Sequence, residues 1–388
     1  MPRSDRTGGR APRYPSALRP DAADDELELR IDSLGGGGEG VGRAGGIATF
    51  VPLTSPGDRV RARIVERRKR LLRARLVDVL EPGPDRVEPP CAVFGACGGC
   101  DWQHLAYPAQ LEAKRSGLEQ TLRRVGGLVD PVVAPTIPSG AHYGYRDRIR
   151  GTLRAGRFHL HRRGAGGPIA IERCEIAEPR INERLARGLW DVADGPVEIA
   201  VVGEAVEVMP VGDDRSTGLG FRQVNPDVAA RLEALLVEDV AVAGARTVHD
   251  LYCGAGTWTL PIAAANPGAS VIGVESHAGS VEAARHRARE AGLAVEFRHG
   301  RVERLAKGLA LAGSTCLVDP PRAGLETAAL ARLVATPAAT LLYVSCHPAT
   351  LARDLATLGS AYDLVHVQPL DMFPQTAHLE CRALLRAR

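Results

Sequence analysis

Thr247-Val-His-Asp250-Leu-Tyr252-Cys-Gly254-Ala-Gly256-Thr257-Trp258 is an apolar-rich run that ends at an acid and opens into a glycine loop. A helix-forming segment at 260–265 follows directly. The same alternation continues downstream. Strand-like runs at 270–274, 295–298, 315–318 and 340–344 are interleaved with helical segments at 280–291 and 349–358. Strands alternating with helices predict an α/β fold, a mostly parallel doubly wound sheet with its ligands at the strand C-termini. Those termini carry Glu275, then Asp319-Pro-Pro-Arg322, then Ser345-Cys346-His347-Pro348. The Gly254-Ala-Gly256 loop lacks the full dinucleotide fingerprint. With Glu275 closing the next strand it suits a nucleoside cofactor, because a carboxylate can accept from both ribose hydroxyls. NAD and S-adenosylmethionine both remain open at this point.

Cys346 follows a buried-type strand and precedes a helix that starts at Pro348. A helix N-terminus favours a thiolate, although a lone cysteine is more often a small packed hydrophobe. Asp319 and Glu380 end or flank neighbouring elements. A nucleophile, a base and a positioning carboxylate at one rim would form a covalent-catalysis set.

The chain has 388 residues, 45% of them hydrophobic and 24% charged. That balance excludes a mostly disordered chain, a collagen-like fibre and a small disulfide scaffold. Apolar runs such as 340–344 are far shorter than the ~20 residues of a membrane-spanning helix. The first 25 residues carry five Arg and no following apolar stretch, so no secretory signal is read. The expectation is a cytoplasmic monomer with reduced thiols. The sequence divides into a disordered basic arm (1–25), a small β-barrel (26–82), a central region (83–215) and the α/β domain (216–388).

Net charge is only +3, from 49 basic and 46 acidic residues. Residues 59–75 nevertheless hold nine basic side chains and one acid, Glu66. Val60, Ala62 and Ile64 alternate there with Arg59, Arg61 and Arg63, which predicts a strand with one apolar and one basic face. A turn near 66–70 leads to a second strand at 72–80. Further strands are read at 27–31 and 47–51, split by the glycine-rich segment 35–46. Such spacing predicts a barrel whose basic face suits a phosphate backbone; a solvated charged hairpin is the competing reading. In the central region a helix is read at 107–125. Arg146 and Arg148 are either RNA contacts or ordinary surface residues.

Cys91, Cys97 and Cys100 lie within ten residues, with Gly95, Gly98 and Gly99 between them. Three soft ligands this close form a metal-site pattern. Zinc and a cubane iron–sulfur cluster each call for a fourth ligand, and Cys174 is available.

With these motifs in hand, the chain resembles the class I, S-adenosylmethionine-dependent RNA 5-methyluridine methyltransferases, in particular the iron–sulfur branch acting on 23S ribosomal RNA. Residues 27–80 resemble that family's TRAM barrel, including Val51-Pro52 and Pro56-Gly57-Asp58. The block from Cys91 through Cys100 to Gln103-His104 is similar to its cluster motif. Phe221-Arg-Gln223-Val-Asn225 is similar to its glutamine motif. Asp319-Pro-Pro-Arg-Ala-Gly, the run from Val344 through Cys346 to Asp354, and the run from Asp371 to Glu380 match its catalytic motifs.

The resemblance implies that Cys346 attacks carbon 6 of a uracil, Glu380 removes the carbon 5 proton and Asp319 holds the base. Gln223, Tyr252, Gly254, Gly256, Thr257, Glu275 and Asp319 would hold S-adenosylmethionine. Cys91, Cys97, Cys100 and Cys174 would hold a 4Fe–4S cluster, with zinc as the alternative. The implied partner is 23S rRNA, with tRNA as the alternative substrate. A non-catalytic RNA-binding or ribosome-assembly protein is the reading of another class. A cytosine-5 enzyme would be expected to carry a cysteine where Pro321 and Arg322 stand. His347 and Thr257 replace asparagines common in the family. Arg301 falls near a family Asn or Asp, and an arginine cannot accept a hydrogen bond there.

Overall fold

The computed structural model describes residues 25–164, 166–188, 190–211 and 223–388. Only Asp25 of the expected basic arm falls among them, and the expected boundary at 215/216 lies outside them.

Strands β1 (Glu26–Leu34), β2 (Gly40–Ala44), β3 (Ile47–Val51), β4 (Arg59–Arg68) and β5 (Leu71–Glu81) close into a barrel in the order β1-β2-β3-β5-β4. Val60 and Ala62 point inward and are fully buried, as their alternation requires. Strand β2 lies inside the glycine-rich segment that the sequence read as a connection. A Cβ at Gly42 would sit 2.1 Å from the Arg30 carbonyl, so glycine there lets two strands close together.

The basic face differs from expectation. Arg59 pairs with Glu28 and Glu81, Arg61 with Glu28, Arg63 with Glu26, Arg67 with Asp25, Arg68 with Glu66 and Arg73 with Glu39. The antiparallel register sets Glu26 opposite Arg63 and Glu28 opposite Arg61. Charge counted along one strand does not reveal partners supplied across the ladder. Among the described residues, Lys69 and Arg70 at the hairpin tip and Arg75 on β5 form no ion pair.

Asp58 straps the barrel to the chain that leaves it. Its buried carboxylate accepts from Ser55 N (2.6 Å), Gly83 N (2.7 Å) and Arg86 Nη2 (2.7 Å).

Helix α1 (Tyr107–Arg124) begins with a proline in its first turn and buries Gln110, Lys114, Leu118 and Leu122, one residue per turn. Beyond it, β6 (Arg148–Arg154), β7 (Arg157–Leu160), β8 (Ile169–Ala170), helix α2 (Pro179–Arg187), β9 (Gly195–Val202) and β10 (Ala205–Pro210) build an antiparallel sheet in the order β10-β9-β6-β7-β8. Arg148 is buried in this sheet against Asp147 and Glu198, so it is no surface cation for RNA.

The α/β domain runs α3 (Pro226–Ala243), β11 (Thr247–Leu251), α4 (Thr259–Ala265), β12 (Ser270–Glu275), α5 (Ala278–Glu290), β13 (Val295–His299), α6 (Val302–Leu305), β14 (Thr315–Val318), α7 (Thr327–Ala335), β15 (Thr340–Ser345), α8 (Pro348–Leu358), β16 (Tyr362–Leu370) and β17 (Glu380–Ala387). Its sheet is ordered β13-β12-β11-β14-β15-β17-β16. Core side chains fill both faces. On one, Leu341 and Tyr343 pack with residues of α7, α8 and α1; on the other, Leu342 and Val344 pack with α3 and α4. Helix α1 thus covers the catalytic sheet although it lies far upstream in sequence.

Replacing Asp58 with Ala would leave the mostly buried Arg86 guanidinium without its partner. Urea unfolding is expected to show a loss of about 3–5 kcal/mol, whereas an unchanged midpoint would mean that the strap carries no load.

Candidate active site

Strands β11, β12, β14 and β15 are parallel, so their C-terminal ends line one edge of the sheet. Strand β17 runs the other way and starts at that edge. Ser345 pairs with Cys381, and Leu370 pairs with Glu380. The reversal brings Glu380 beside the end of β15, where Cys346 follows.

The glycine loop leaves β11 with Tyr252 at φ +68°, Gly254 at +53° and Gly256 at +77°. A tyrosine in the left-handed region costs roughly 1–3 kcal/mol, a strain typical of functional loops. A Cβ at Gly256 would meet Leu260 at 3.2 Å and Phe297 at 3.4 Å, so the turn packs tightly onto α4 and β13. Tyr252 donates its hydroxyl to Glu303 at 3.2 Å. Glu275 accepts from Gly254 N (3.1 Å), Ser276 Oγ (3.0 Å) and His277 N (2.7 Å). Three of its four or so lone-pair sites are therefore engaged, and its orientation is fixed. Thr257 and Gln223 are half-buried. Phe221 and Arg222 of the glutamine motif lie outside the described residues. Arg301 pairs with Glu326 (2.7 Å) and Glu303 (3.3 Å), so it ties the rim together.

Three carboxylates gather along this edge. Asp250 is fully buried, accepts from Thr259 Oγ1 at 2.5 Å, and is pushed up to about 7 by burial, with Asp319 and Glu275 adding repulsion. Asp319 accepts from Trp258 Nε1 at 2.8 Å, and burial raises its pKa. Glu380 is buried and raised well above the ordinary carboxylate range, first by burial and then by the Asp319 charge. The Cys346 thiol is also pushed up, by burial and by Glu380, with Arg322 opposing. This reverses the sequence expectation of a stabilised thiolate, because desolvation and a neighbouring carboxylate outweigh the end of one helix.

Cys346 lines a cleft of about 410 Å³. The other walls come from the barrel loop Gly35–Gly37, from Trp102 after the cysteine block, from Lys114 of α1, and from Arg322 and His378. Beside Cys346, His347 caps α8, its Nδ1 accepting from Thr350 N at 3.3 Å. That is the bond an asparagine would make at this position, so the substitution keeps the geometry. Further along α8, buried Asp354 accepts from Leu325 N (2.8 Å) and Tyr343 OH (2.7 Å), which steadies the loop after Asp319.

The structure brings Cys346, Asp319 and Glu380 within electrostatic reach of one another. Trp258, Asp250 and Lys114 are parts of the site that sequence reading did not single out. Asp250 and Trp258 lie in the opening motif, but no pattern there marks a hydrogen bond to Asp319.

Cys91, Cys100 and Cys174 pack with Phe94, Tyr143 and Tyr145 in one small cluster, and Cys97 adds repulsion to each of their thiols. Backbone N–H groups of Val93 and Phe94 point at Cys91, those of Ile176 and Ala177 at Cys174, and Gly99 N donates to Cys97 Sγ at 3.4 Å. Arg146 faces Cys100 and Cys174. Among the described residues, no three His, Cys, Asp or Glu side chains are grouped so as to hold a metal ion.

A mostly parallel seven-stranded sheet with one antiparallel strand, a glycine loop after β11 and an acid at the end of β12 define a class I methyltransferase. Residues 213–388 match the family model described as tRNA (uracil-5-)-methyltransferase, and residues 25–77 match the TRAM domain model. The 23S rRNA (uracil(1939)-C(5))-methyltransferase RlmD of Chromohalobacter salexigens is 34% identical over 99% of this chain and 94% of its own length. An RNA methyltransferase of Thermosynechococcus vestitus is 33% identical over 92% of this chain and 97% of its own. The Pyrococcus abyssi tRNA (uracil-54, C5)-methyltransferase, solved with S-adenosyl-L-homocysteine, superposes with a TM-score of 0.72 at 25% identity, covering 92% of this chain and 100% of that one. The chain belongs to the RNA uracil-5 methyltransferase family.

His347→Ala should cost about 1 kcal/mol in chemical denaturation and His347→Asn should not; equal losses would dismiss the cap. Alkylation of Cys346 should have its pH midpoint above the ordinary thiol range, and Glu380→Gln should lower it. A midpoint unmoved by that change would sever the two groups electrostatically.

Proposed function

We propose that the target is a uridine of 23S rRNA and that Cys346, Glu380 and Asp319 carry the chemistry. The observation that carries the reading is the convergence of these three residues at one sheet edge, with Cys346 open to a cleft walled by the barrel, the cysteine region and the catalytic domain. The Cys346 thiol gives its proton to solvent, the thiolate bonds to carbon 6 of the uracil, and the carbon 5–carbon 6 double bond opens into an enolate with carbon 5 as the nucleophile. That carbon takes the methyl group of S-adenosylmethionine as the sulfur–methyl bond breaks and the sulfonium leaves as the neutral thioether S-adenosylhomocysteine. The Glu380 carboxylate then accepts the carbon 5 proton, the carbon 5–carbon 6 double bond re-forms and the carbon–sulfur bond breaks. A carboxylate with a raised pKa is a stronger base when ionised, which suits that removal. Asp319, held by Trp258, faces the polar edge of the base. A reacting carbon is out of reach within a stack, so the uridine must be unpaired or extruded. Tyr252, Gly254, Gly256, Thr257, Glu275 and Gln223 hold the methyl donor.

The RlmD relative's coverage of nearly the whole chain favours 23S rRNA. The Pyrococcus neighbour, a tRNA enzyme, supports tRNA as the second reading. Mapping 5-methyluridine in a strain lacking the gene separates them: loss from 23S rRNA is expected, and loss from tRNA alone would overturn the preference. Cys346→Ala is expected to abolish methyl transfer and keep RNA binding; transfer that persisted would remove the nucleophile assignment.

Cys91, Cys97, Cys100 and Cys174 are the residues to hold a 4Fe–4S cluster. The backbone N–H groups aimed at Cys91, Cys97 and Cys174 and the nearby Arg146 suit thiolates, and they oppose the burial that pushes the Cys91, Cys100 and Cys174 thiols up. Its contribution would be to staple the central region. Anaerobically purified protein should be brown with broad visible absorption, and a colourless protein with stoichiometric zinc would contradict the cluster.

A further inference from the structure

Strand β16 ends at Leu370 and β17 begins at Glu380. The loop between them, residues 371–379, aims Glu380 at the edge of the sheet. Two buried side chains one turn apart on α1 grip it. Lys114 Nζ binds the Asp371 carboxylate at the loop's start and donates to the Phe373 carbonyl at 3.0 Å. Gln110 Nε2 donates to Gln375 Oε1 at 2.9 Å, and Gln375 N donates back to Gln110 Oε1 at 3.0 Å. Lys114 and Asp371 have no solvent exposure at all.

The grip extends beyond the helix. The Gln375 carbonyl accepts from Asp101 N and Trp102 N, both at 2.9 Å. Tyr145 OH donates to the Pro374 carbonyl at 3.0 Å. Gln375 itself sits at φ +68°, a conformation a glutamine keeps only when its surroundings dictate it. Lys114 also lines the cleft with Cys346, but its ammonium is engaged by Asp371 and Phe373.

We propose that Lys114 and Gln110 are positioning residues for the base Glu380, acting through Asp371 and Gln375 to fix the loop from which Glu380 emerges. The proposal rests on the reading of Glu380 as the base. A displacement of about 1 Å at a reacting group can cost roughly 10²-fold in rate, so a loop held at two points is what the elimination step requires. Earlier steps depend on Cys346 and the methyl donor, which other elements hold. The clamp therefore acts on release of the product and leaves formation of the covalent intermediate untouched.

The test uses the full chain with its native metal content, S-adenosylmethionine and an RNA fragment containing the target uridine. Lys114→Met is expected to lower kcat roughly 10²-fold, to leave KM for RNA unchanged, and to accumulate a covalent, methylated enzyme–RNA species. Glu380→Gln is the reference and should accumulate the same species. Because Lys114→Met strands a buried carboxylate, the double variant Lys114→Met/Asp371→Leu is measured too. Replacing both partners by apolar groups is expected to restore stability while the covalent species still accumulates. Recovery of turnover together with stability in the double variant would overturn the proposal, as would slower formation of the adduct in Lys114→Met. Absence of the species in Glu380→Gln would instead overturn the reading of Glu380, and the clamp with it.

Discussion

An ammonium and a carboxylate meet in the dry interior where α1 crosses the loop before β17. Lys114 and Asp371 are both fully buried. Neither charge is tolerable there alone, because an uncompensated buried ion costs several kcal/mol. Helix and loop are therefore locked in one relative placement. The placement propagates. Trp102, whose ring lies 5.8 Å from the Lys114 ammonium, donates its Nε1 to the Gly38 carbonyl of the barrel at 2.9 Å. Asp101 and Trp102, immediately after Cys100, bind the Gln375 carbonyl. Leu118 and Leu122 of the same helix enter the core of the catalytic sheet. Barrel, cysteine region and catalytic domain all converge on this crossing, and the cleft holding Cys346 is the space left between them.

The electrostatics of the edge follow from burial. Asp250, Asp319 and Glu380 are all raised, chiefly by desolvation, and the Asp319 charge adds to the shift of the other two. Carboxylates crowded in a low dielectric gain stability when a cation arrives. S-adenosylmethionine brings a sulfonium and an ammonium. Burial, with the Glu380 and Asp319 charges adding to it, also pushes the Cys346 thiol up, and Arg322 is the cation that opposes the shift.

Much of this was legible in the sequence where structure repeats locally. The helix expected at 107–125 is Tyr107–Arg124, and the strand expected at 315–318 is Thr315–Val318. Period and punctuation suffice for such elements. The places of Cys346, Asp319 and Glu380 were legible too, because each flanks a strand end, and the structure brings those ends to one edge. What escaped was pairing at a distance. The basic run at 59–75 looked like a free cationic face, yet its partners Glu26 and Glu28 come from β1 and Asp25 from just before it. Arg148 looked available and is buried against Glu198, 50 residues on. Nothing local singles out Lys114 within its helix, since its partner lies 257 residues away. His347 looked like a departure from the family, yet it caps α8.

The central claim is that Cys346 carries the nucleic acid covalently during methyl transfer. RNA with 5-fluorouridine at the target position has no carbon 5 proton to give up, so the adduct should be trapped. Incubation with S-adenosylmethionine, digestion and mass spectrometry would locate the modified peptide. The account predicts a methylated fluorouridine on the peptide containing Cys346. An adduct on Cys253 or Cys381, or methylation without any adduct, would contradict it.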